Sequence, residues 1–263
     1  MDKLDYLIKY LLEENRNIDI EEIPENLEEK RKLYRSLCNI RDALPIAEKY
    51  LEVENEYLQE EIKKRDIIDL KDISSSITDG GTKIALWKGD ITSLKIDCIV
   101  NAANSQGLGC FAPCHKCIDN IIHSIAGVQL RIECNEKMKK IGILKTGEAF
   151  LTKGYNLPAR FVIHTVGPII YDNVAEKNKA ELEKCYINSL EIAKEAGIKN
   201  IAFCCISTGE FRFPKDLASE IAVKTVKKFL EQNEDFFKMI VFDVFSDEDY
   251  DIYIEKLGDV YGV

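Results

Sequence analysis

The first 75 residues carry a helical pattern of apolar positions. Two groups of apolar residues recur every three or four positions, which places each group on one face of a helix. They are Leu4, Leu7, Ile8 and Leu11 in the first group, and Leu33, Leu37, Ile40 and Leu44 in the second. Pro24 and Pro45 interrupt the pattern, and the run Ser74–Ser76 with Gly80-Gly81 after it indicates a loop. We therefore predict a small helical extension over residues 1–75 and a second unit over residues 76–263.

Beyond residue 83, short apolar runs alternate with longer helical stretches. Several runs are continuously apolar, as expected of strands that are covered on both faces. The runs are Ile84–Trp87, Ile96–Val100, Ala149–Thr152, Phe161–Val166, Ile201–Ser207 and Met239–Phe245, and the helical stretches are Asp119–Ala126, Glu176–Ala196 and Pro214–Glu231. Strands that alternate with helices predict an α/β fold, here a three-layer α/β/α sandwich. In such folds ligands bind outside the carboxyl ends of the strands, so the loops at that edge form the candidate site.

Charge narrows the classes of function. The formal net charge is −10, and residues 1–75 hold 20 acidic and 13 basic residues. Because the chain has no basic run, nucleic acid and anionic membranes are poor candidates as partners. No apolar run is long enough to span a membrane and charged residues fill the first twenty positions, so we expect a cytoplasmic protein. An anionic ligand would be held mainly by backbone N–H groups and helix N-termini.

The nine cysteines are expected to be reduced thiols, because the chain is too long to need a disulfide scaffold. Six lie in segments that are predicted as helix or strand, where buried small side chains are the simplest interpretation. These six are Cys38, Cys98, Cys134, Cys185, Cys204 and Cys205. The other three, Cys110, Cys114 and Cys117, lie within eight residues of one another, beside His115.

This Cys/His loop predicts a zinc site. Cys110, His115 and Cys117 supply two thiolates and an imidazole, which are ligands that Zn²⁺ prefers. Three protein ligands leave a fourth position for water or substrate, which is typical of catalytic zinc sites. Cys114 is an alternative fourth ligand, but its side chain would have to turn back beside its neighbour. A loop that is rich in thiols and holds no metal is the remaining alternative.

Two other kinds of zinc site are excluded by spacing. Pro113–Cys117 fits one half of a nucleobase deaminase motif, but that chemistry also needs an H-x-E segment upstream. All three histidines of this chain stand at position 115 or later. A zinc ribbon would need a second spaced pair of cysteines, whereas Cys204 and Cys205 are adjacent.

A second loop, Ser207–Phe211, joins an apolar strand to the helix that opens at Pro214. Small residues around a glycine allow successive N–H groups to converge on an anion, and the helix dipole adds to this attraction. A diphosphate is the ligand that such groups suit. An ordinary strand-to-helix turn is the alternative.

Four motifs resemble the macrodomain family in order and spacing. They are GDIT at Gly89–Thr92, IVNAAN at Ile99–Asn104, VIHTVGP at Val162–Pro168 and ISTGEFRFP at Ile206–Pro214. The resemblance covers about residues 83–245 and implies a macrodomain with a mixed central sheet that binds ADP-ribose. The segment GCFAPCHKCIDN is similar to the insertion of zinc-containing macrodomains, which are microbial ADP-ribosyl hydrolases often encoded beside a sirtuin-class ADP-ribosyltransferase. Residues 1–75 also resemble the N-terminal extension of that subfamily.

The resemblance implies roles for individual residues. Asp90 would accept a hydrogen bond from the adenine amino group, with Ile91 lining the same pocket, and Asn104 would hold the proximal ribose. Asp119 aligns with the acid of MacroD-type hydrolases, although the Cys/His loop replaces their glycine-rich stretch. The ADP-ribose-binding residues predicted in this way are Asp90, Ile91, Asn104, Cys117, Ile118, Asp119, Asn120, Ser207, Thr208, Gly209, Glu210 and Phe211. His123 and His164 are interpreted as packed side chains.

These expectations describe a hydrolase that removes mono-ADP-ribose from protein, through an ester to an acidic side chain. Asn104 and Asp119 are the predicted catalytic residues, with Asp119 positioning a water or acting as general base. Zinc would orient the proximal ribose or lower the pKa of a water. The alternatives are a non-catalytic ADP-ribose reader with a structural zinc, and an O-acetyl-ADP-ribose deacetylase.

Overall fold

The computed structural model describes residues 2–15, 18, 20, 22–75 and 77–262. Its first three helices are α1 (Lys3–Glu14), α2 (Leu27–Ile40) and α3 (Glu48–Ile62), and they share a hydrophobic core of their own. All four apolar residues of the first predicted group are buried there. In the second group Leu37 is buried, but Leu44 is exposed because α2 ends before it, at Ile40. The last of these helices ends at Ile62, and Ile68–Asp69 forms a short strand, β1, within the segment that was predicted to be helical.

A buried carboxyl group joins the extension to the rest of the chain. Glu54 of α3 is fully buried and accepts hydrogen bonds from Tyr34 Oη (2.7 Å), Tyr50 Oη (3.3 Å) and the Val128 backbone N–H (3.1 Å). Val128 is the first residue of helix α5 (Val128–Ile141), so Glu54 satisfies an unpaired donor at the start of that helix. Burial raises the pKa of Glu54 to about 7, in spite of these hydrogen bonds.

We expect a Glu54→Gln variant to be more stable than the wild type at pH 8. Because the folded protein holds the Glu54 proton more tightly, its contribution to stability is complete below pH 4.5 and is lost as the pH rises through 7. The ionised form costs at most roughly 3 kcal/mol at pH 8. Urea unfolding at pH 8 and pH 5 should show a gain in the free energy of unfolding that shrinks to under about 1 kcal/mol at pH 5. The exposed Glu52→Gln is the control, and an equal response of both variants would contradict the prediction.

The central sheet has seven strands, which are β2 (Ile77–Asp79), β3 (Thr82–Lys88), β5 (Cys98–Ala102), β6 (Ala149–Lys153), β7 (Phe161–Thr165), β8 (Asn200–Phe203) and β9 (Met239–Val244). Their order in the sheet is β2-β3-β9-β8-β5-β7-β6. A further strand, β4 (Leu94–Lys95), pairs with β1 outside this sheet. The five inner strands run parallel, and β2 and β6 pair antiparallel at the two edges. The sheet is therefore mixed, and the predicted α/β fold is confirmed.

Helices cover both faces of the sheet. Helices α6 (Glu176–Glu195), α7 (Lys215–Glu231) and α8 (Asp247–Tyr261) pack side by side. Helix α4 (Ile118–Ala126) packs with α5, and α2 of the extension packs on α4. Helices α5 and α8 were not among the helical stretches predicted from the sequence. None of the helices in the described ranges is both long and apolar enough to cross a bilayer.

The topology brings the two candidate loops together. Strands β5 and β8 are hydrogen-bonded neighbours that run parallel, so their carboxyl ends, and the loops that follow them, lie side by side. The loop after β5, residues 103–117, contains the Cys/His segment and is called the metal loop below. The loop after β8, residues 204–214, contains Ser207–Phe211 and is called the phosphate loop.

Candidate functional site

The metal loop crosses closely over helix α4. At Gly109 the backbone has φ of +83°, and a Cβ atom there would lie 2.7 Å from Cγ of His123. Because both the conformation and the space require the absence of a side chain, only glycine fits at this position. The close crossing brings Cys110 to the start of α4, where Cys117 is the N-cap residue.

Three predicted ligands meet at this crossing. The ligand atoms of Cys110, His115 and Cys117 lie within 4.8 Å of one another. Cys110 Sγ and His115 Nδ1 are 3.8 Å apart, close to the separation of about 3.6 Å between sulfur and nitrogen ligands of a tetrahedral zinc ion. All three side chains are half-buried, so the cluster can be reached from solvent. The donor types and their spacing fit zinc with one coordination position left for another ligand.

Burial and the helix N-terminus act in opposite directions on the pKa of the Cys117 thiol. Burial and, to a smaller extent, the adjacent Cys110 thiol raise the pKa of the Cys117 thiol to about 12. The N-terminus of α4, which Cys117 caps by accepting a hydrogen bond from the Asn120 N–H (3.4 Å), favours the thiolate. Metal binding to this cluster would therefore be accompanied by proton release.

Cys114 lies apart from this cluster. Its Sγ atom is 3.2 Å from Ser36 Oγ and 3.4 Å from the Lys32 carbonyl oxygen, both on α2. The residue adopts a left-handed backbone conformation, with φ of +52°. That turn directs Cys114 toward the extension, while its neighbour His115 faces the other two ligands.

Asp119 occupies the first turn of α4 beneath the metal loop. It is 4 % exposed, and its two carboxylate oxygens accept hydrogen bonds from Asn101 Nδ2 (2.7 Å) and Asn104 Nδ2 (3.3 Å). Burial raises the pKa of Asp119 to about 6, so the carboxylate is poised to take up a proton close to neutral pH. The two predicted catalytic residues, Asn104 and Asp119, are thus in direct contact.

Asn101 was not predicted as a site residue, although it belongs to the IVNAAN motif. Its Nδ2 group donates to Asp119 and also to His164 Nδ1 (3.0 Å), which assigns the proton of the neutral His164 ring to Nε2. His164 Nε2 in turn lies 2.9 Å from Thr152 Oγ1. Burial lowers the pKa of His164 to about 3. This chain of hydrogen bonds holds Asp119 in place from the side of the sheet.

His123 contacts Asp119 from the next turn of α4. His123 Nε2 is 3.6 Å from Asp119 Oδ1. Burial lowers the pKa of His123 well below its ordinary value, so the ring is neutral at physiological pH. Within the part of the chain that the structure describes, neither ring nitrogen has a hydrogen-bond partner. His123 is a packed side chain beside the site.

Asn120 has a different environment from the one predicted for a ligand-binding residue. The side chain is fully buried, and its Nδ2 group donates to the carbonyl oxygens of Ala112 (2.9 Å) and Cys110 (3.4 Å). Its Oδ1 atom accepts hydrogen bonds from Arg35 (3.2 and 2.7 Å) and from Ser124 Oγ (3.3 Å). Asn120 therefore holds the metal loop from below. Its neighbour Ile118 packs against the main core.

The phosphate loop faces the metal loop. Among the described residues, the backbone N–H groups of Ser207–Phe211 donate no hydrogen bond, and such groups in a tight turn attract anions. Ser207 has φ of +66°, and its Oγ atom has no partner within the described ranges. Glu210 Oε1 lies 3.7 Å from His115 Nε2, so the rims of the two loops meet. Phe211 packs partly against the core.

Asp90 stands at the carboxyl end of β3 and has two local partners. Its Oδ1 atom caps the 3₁₀ turn Ile91–Ser93 by accepting a hydrogen bond from the Thr92 N–H (2.9 Å), which is a common structural role for an aspartate. Its Oδ2 atom accepts one from Arg65, a residue that the sequence analysis did not single out. The Asp90 side chain stays partly exposed, whereas Ile91 is buried in the core.

Comparison with known proteins places this geometry in a family. The Macro domain family matches residues 100–222. The protein-ADP-ribose hydrolase of Staphylococcus aureus (strain MRSA252) is 46% identical over 258 residues, which cover 97% of this chain and 95% of that protein. The probable bifunctional ADP-ribose hydrolase/ADP-ribosyltransferase of Fusarium oxysporum f. sp. cubense is 47% identical over 189 residues, covering 68% of this chain and 32% of that protein. The Trypanosoma brucei macrodomain in complex with ADP-ribose superposes with a TM-score of 0.67 at 30% identity, covering 85% of this chain and 95% of that one. The chain belongs to the macrodomain family.

Proposed function

We propose that this macrodomain is a protein-ADP-ribose hydrolase that removes mono-ADP-ribose from acidic side chains of proteins. The observation that carries the proposal is the contact between Asn104 and the buried Asp119, which lies two residues after Cys117 of the cysteine and histidine cluster. A relative that is 46% identical along nearly its whole length is named a protein-ADP-ribose hydrolase, which supports the hydrolase part of the proposal.

The phosphate loop would bind the ADP-ribose diphosphate through the unpaired N–H groups of Ser207–Phe211, because these donors converge in a tight turn. Asp90 would accept a hydrogen bond from the adenine amino group with the part of its carboxylate that stays exposed. A carboxylate suits an amino group because it is only an acceptor. The ligand would then extend along the carboxyl ends of the strands toward β5.

At the β5 end, Asn104 would hold the proximal ribose, because its amide can donate and accept at once. Asp119, whose pKa is raised to about 6, would take a proton from the attacking water. Cys110, His115 and Cys117 would hold zinc, which supplies Lewis acidity to the oxygen atoms close to it when bound. A sirtuin-class ADP-ribosyltransferase is the proposed source of the modified protein.

Two other functions would use the same cleft. A reader would bind ADP-ribose without turnover and would need no buried ionisable group, whereas this site keeps Asp119 at a cost in stability. A deacetylase of O-acetyl-ADP-ribose would cleave an ester on the free nucleotide. The hydrolase is favoured because Asp119 contacts Asn104, the proposed ribose-binding residue.

The test is incubation with a protein that carries radiolabelled mono-ADP-ribose on glutamate, and with O-acetyl-ADP-ribose in a parallel reaction. We expect release of free ADP-ribose from the protein. Binding of ADP-ribose without release from either substrate would identify a reader. Turnover of O-acetyl-ADP-ribose alone would identify the deacetylase.

A further inference from the structure

Helix α2 of the extension contacts the metal loop and helix α4 through the half-buried Arg35 and the buried Asn39. We propose that Arg35 and Asn39 are positioning residues that build the metal site, so that the extension is part of the catalytic machinery. This inference rests on the proposed function in one respect, which is that the cluster of Cys110, His115 and Cys117 binds zinc.

Arg35 holds the backbone of His115 directly and that of Cys110 through Asn120. Its Nη2 group donates to the His115 carbonyl oxygen at 2.6 Å and to Asn120 Oδ1 at 2.7 Å. The Nδ2 group of Asn120 in turn donates hydrogen bonds to the carbonyl oxygens of Cys110 and Ala112. One guanidinium group and one amide therefore fix three carbonyl groups of a short loop. A planar guanidinium can make this fork because its donors have a fixed geometry.

Asn39 holds the turn between the ligands. It is 1 % exposed, its Oδ1 atom accepts a hydrogen bond from the Cys114 N–H (2.9 Å), and its Nδ2 group donates to Ser124 Oγ (3.1 Å) on α4. Cys114 is the residue with φ of +52°, a conformation that a non-glycine residue adopts only when neighbouring contacts hold it. Asn39 supplies that contact, and the strained turn orients His115.

Arg131 of α5 locks the end of α2 to the same loop. Its Nη1 group donates to the carbonyl oxygens of Cys38, Asn39 and Arg41, which satisfies acceptors at the helix C-terminus. Its Nε group donates to the Leu108 carbonyl oxygen (2.8 Å). The metal loop is thus held between the extension and the sheet domain.

These contacts engage backbone groups of the loop and none of the three proposed ligand atoms, so they can hold the ligands in place independently of the metal. A preorganised site binds its metal more tightly, since less freedom is lost on binding. When a contact that holds a ligand residue without binding the metal itself is removed, metal affinity typically falls by roughly 10- to 100-fold. The extension would therefore raise the zinc affinity of the loop, although it supplies none of the ligands.

The test compares Arg35→Ala with Arg31→Ala. Arg31 lies one turn earlier on α2 and pairs with Glu61 inside the extension, so it is matched in residue type and helix but has no contact with the metal loop. Zinc affinity is measured by competition with a chromophoric chelator. We expect Arg35→Ala to bind zinc roughly 10- to 100-fold more weakly, and excess zinc should restore its turnover. Arg31→Ala should retain the wild-type affinity.

Amide hydrogen exchange of the zinc-free proteins gives a second measurement that needs no activity. Exchange at residues 109–117 should be faster in Arg35→Ala than in Arg31→Ala. Equal exchange and equal zinc affinity in the two variants would overturn the inference. If the wild type binds no zinc, the metal part of the proposed function fails, and exchange alone judges whether Arg35 positions the loop. Should Arg35→Ala not fold, Arg35→Lys, which keeps the charge but loses the fork, replaces it.

Discussion

A Cys117→Ser variant should lose both its zinc and its hydrolase activity and keep its fold. Serine retains an oxygen that can cap α4 in place of the Cys117 sulfur, so the helix start is preserved. Serine lacks the thiolate that zinc prefers. We expect zinc affinity to fall by more than about 100-fold, which exceeds the effect of removing a contact that only orients a ligand. Elemental analysis and release of ADP-ribose from a modified protein measure the two losses.

Cys114→Ser is the matched control, since it changes the same atom type three residues earlier in the same loop. The Cys114 sulfur contacts Ser36 and the Lys32 carbonyl oxygen, apart from the three ligands. This variant should retain about one equivalent of zinc per chain, as expected for a three-ligand site. Zinc loss from Cys114→Ser with retention in Cys117→Ser would show that the ligand set is wrong. Full hydrolysis by zinc-free Cys117→Ser would reduce the metal to a structural element.

An Asp119→Asn variant should bind ADP-ribose and hydrolyse very slowly. Asparagine keeps an oxygen that can accept the hydrogen bond from Asn101, but it cannot take up a proton and it loses the bond from Asn104. Removal of a general base lowers turnover by roughly 10²- to 10⁴-fold. We expect a change in the Kd of ADP-ribose of less than about tenfold, because the lost interaction acts mainly in the transition state.

The contrast for this prediction is Asp90→Ala at the far end of the cleft. Loss of a charged hydrogen bond to adenine should weaken binding by on the order of 1.5–3 kcal/mol, with single-turnover rates at saturation retained. Calorimetry and single-turnover assays on both variants separate the two roles. An Asp119→Asn protein with the wild-type rate would show that another group activates the water.

The strands and the clustering of Cys110, His115 and Cys117 could be predicted because their signals are local. A buried parallel strand is a continuous apolar run, and all six predicted runs contain strands. The predicted strand ends differ from the observed ones where the apolar run extends beyond the residues that pair with a neighbouring strand. Strand β8, for example, ends at Phe203, although the apolar run continues to Ser207. Cys110, His115 and Cys117 were predictable because the chain itself holds them within eight residues.

The remaining parts of the site depend on contacts that the sequence does not show. Asn120 follows the predicted acid directly, yet its amide is used by Arg35 of another helix and by the loop above it. Arg65 stands outside all of the motifs and reaches Asp90 only after the chain has folded. Helix α5 was missed because its second half, Glu133–Lys140, is largely polar, and its start depends on Glu54, 74 positions earlier in the chain.

The separation along the chain between α2 and the metal loop has a consequence for the order of folding. The contacts from Arg35 and Asn39 to the loop and to α4 join residues 75 to 85 positions apart. Closing segments this long costs entropy that local contacts do not recover, so such contacts form late. During synthesis the extension leaves the ribosome before the metal loop, so the contacts between them can form only after the loop has been synthesised. Zinc binding at the proposed site would therefore follow the docking of α2, and a chain stalled before that step would have all three proposed ligands and no finished site.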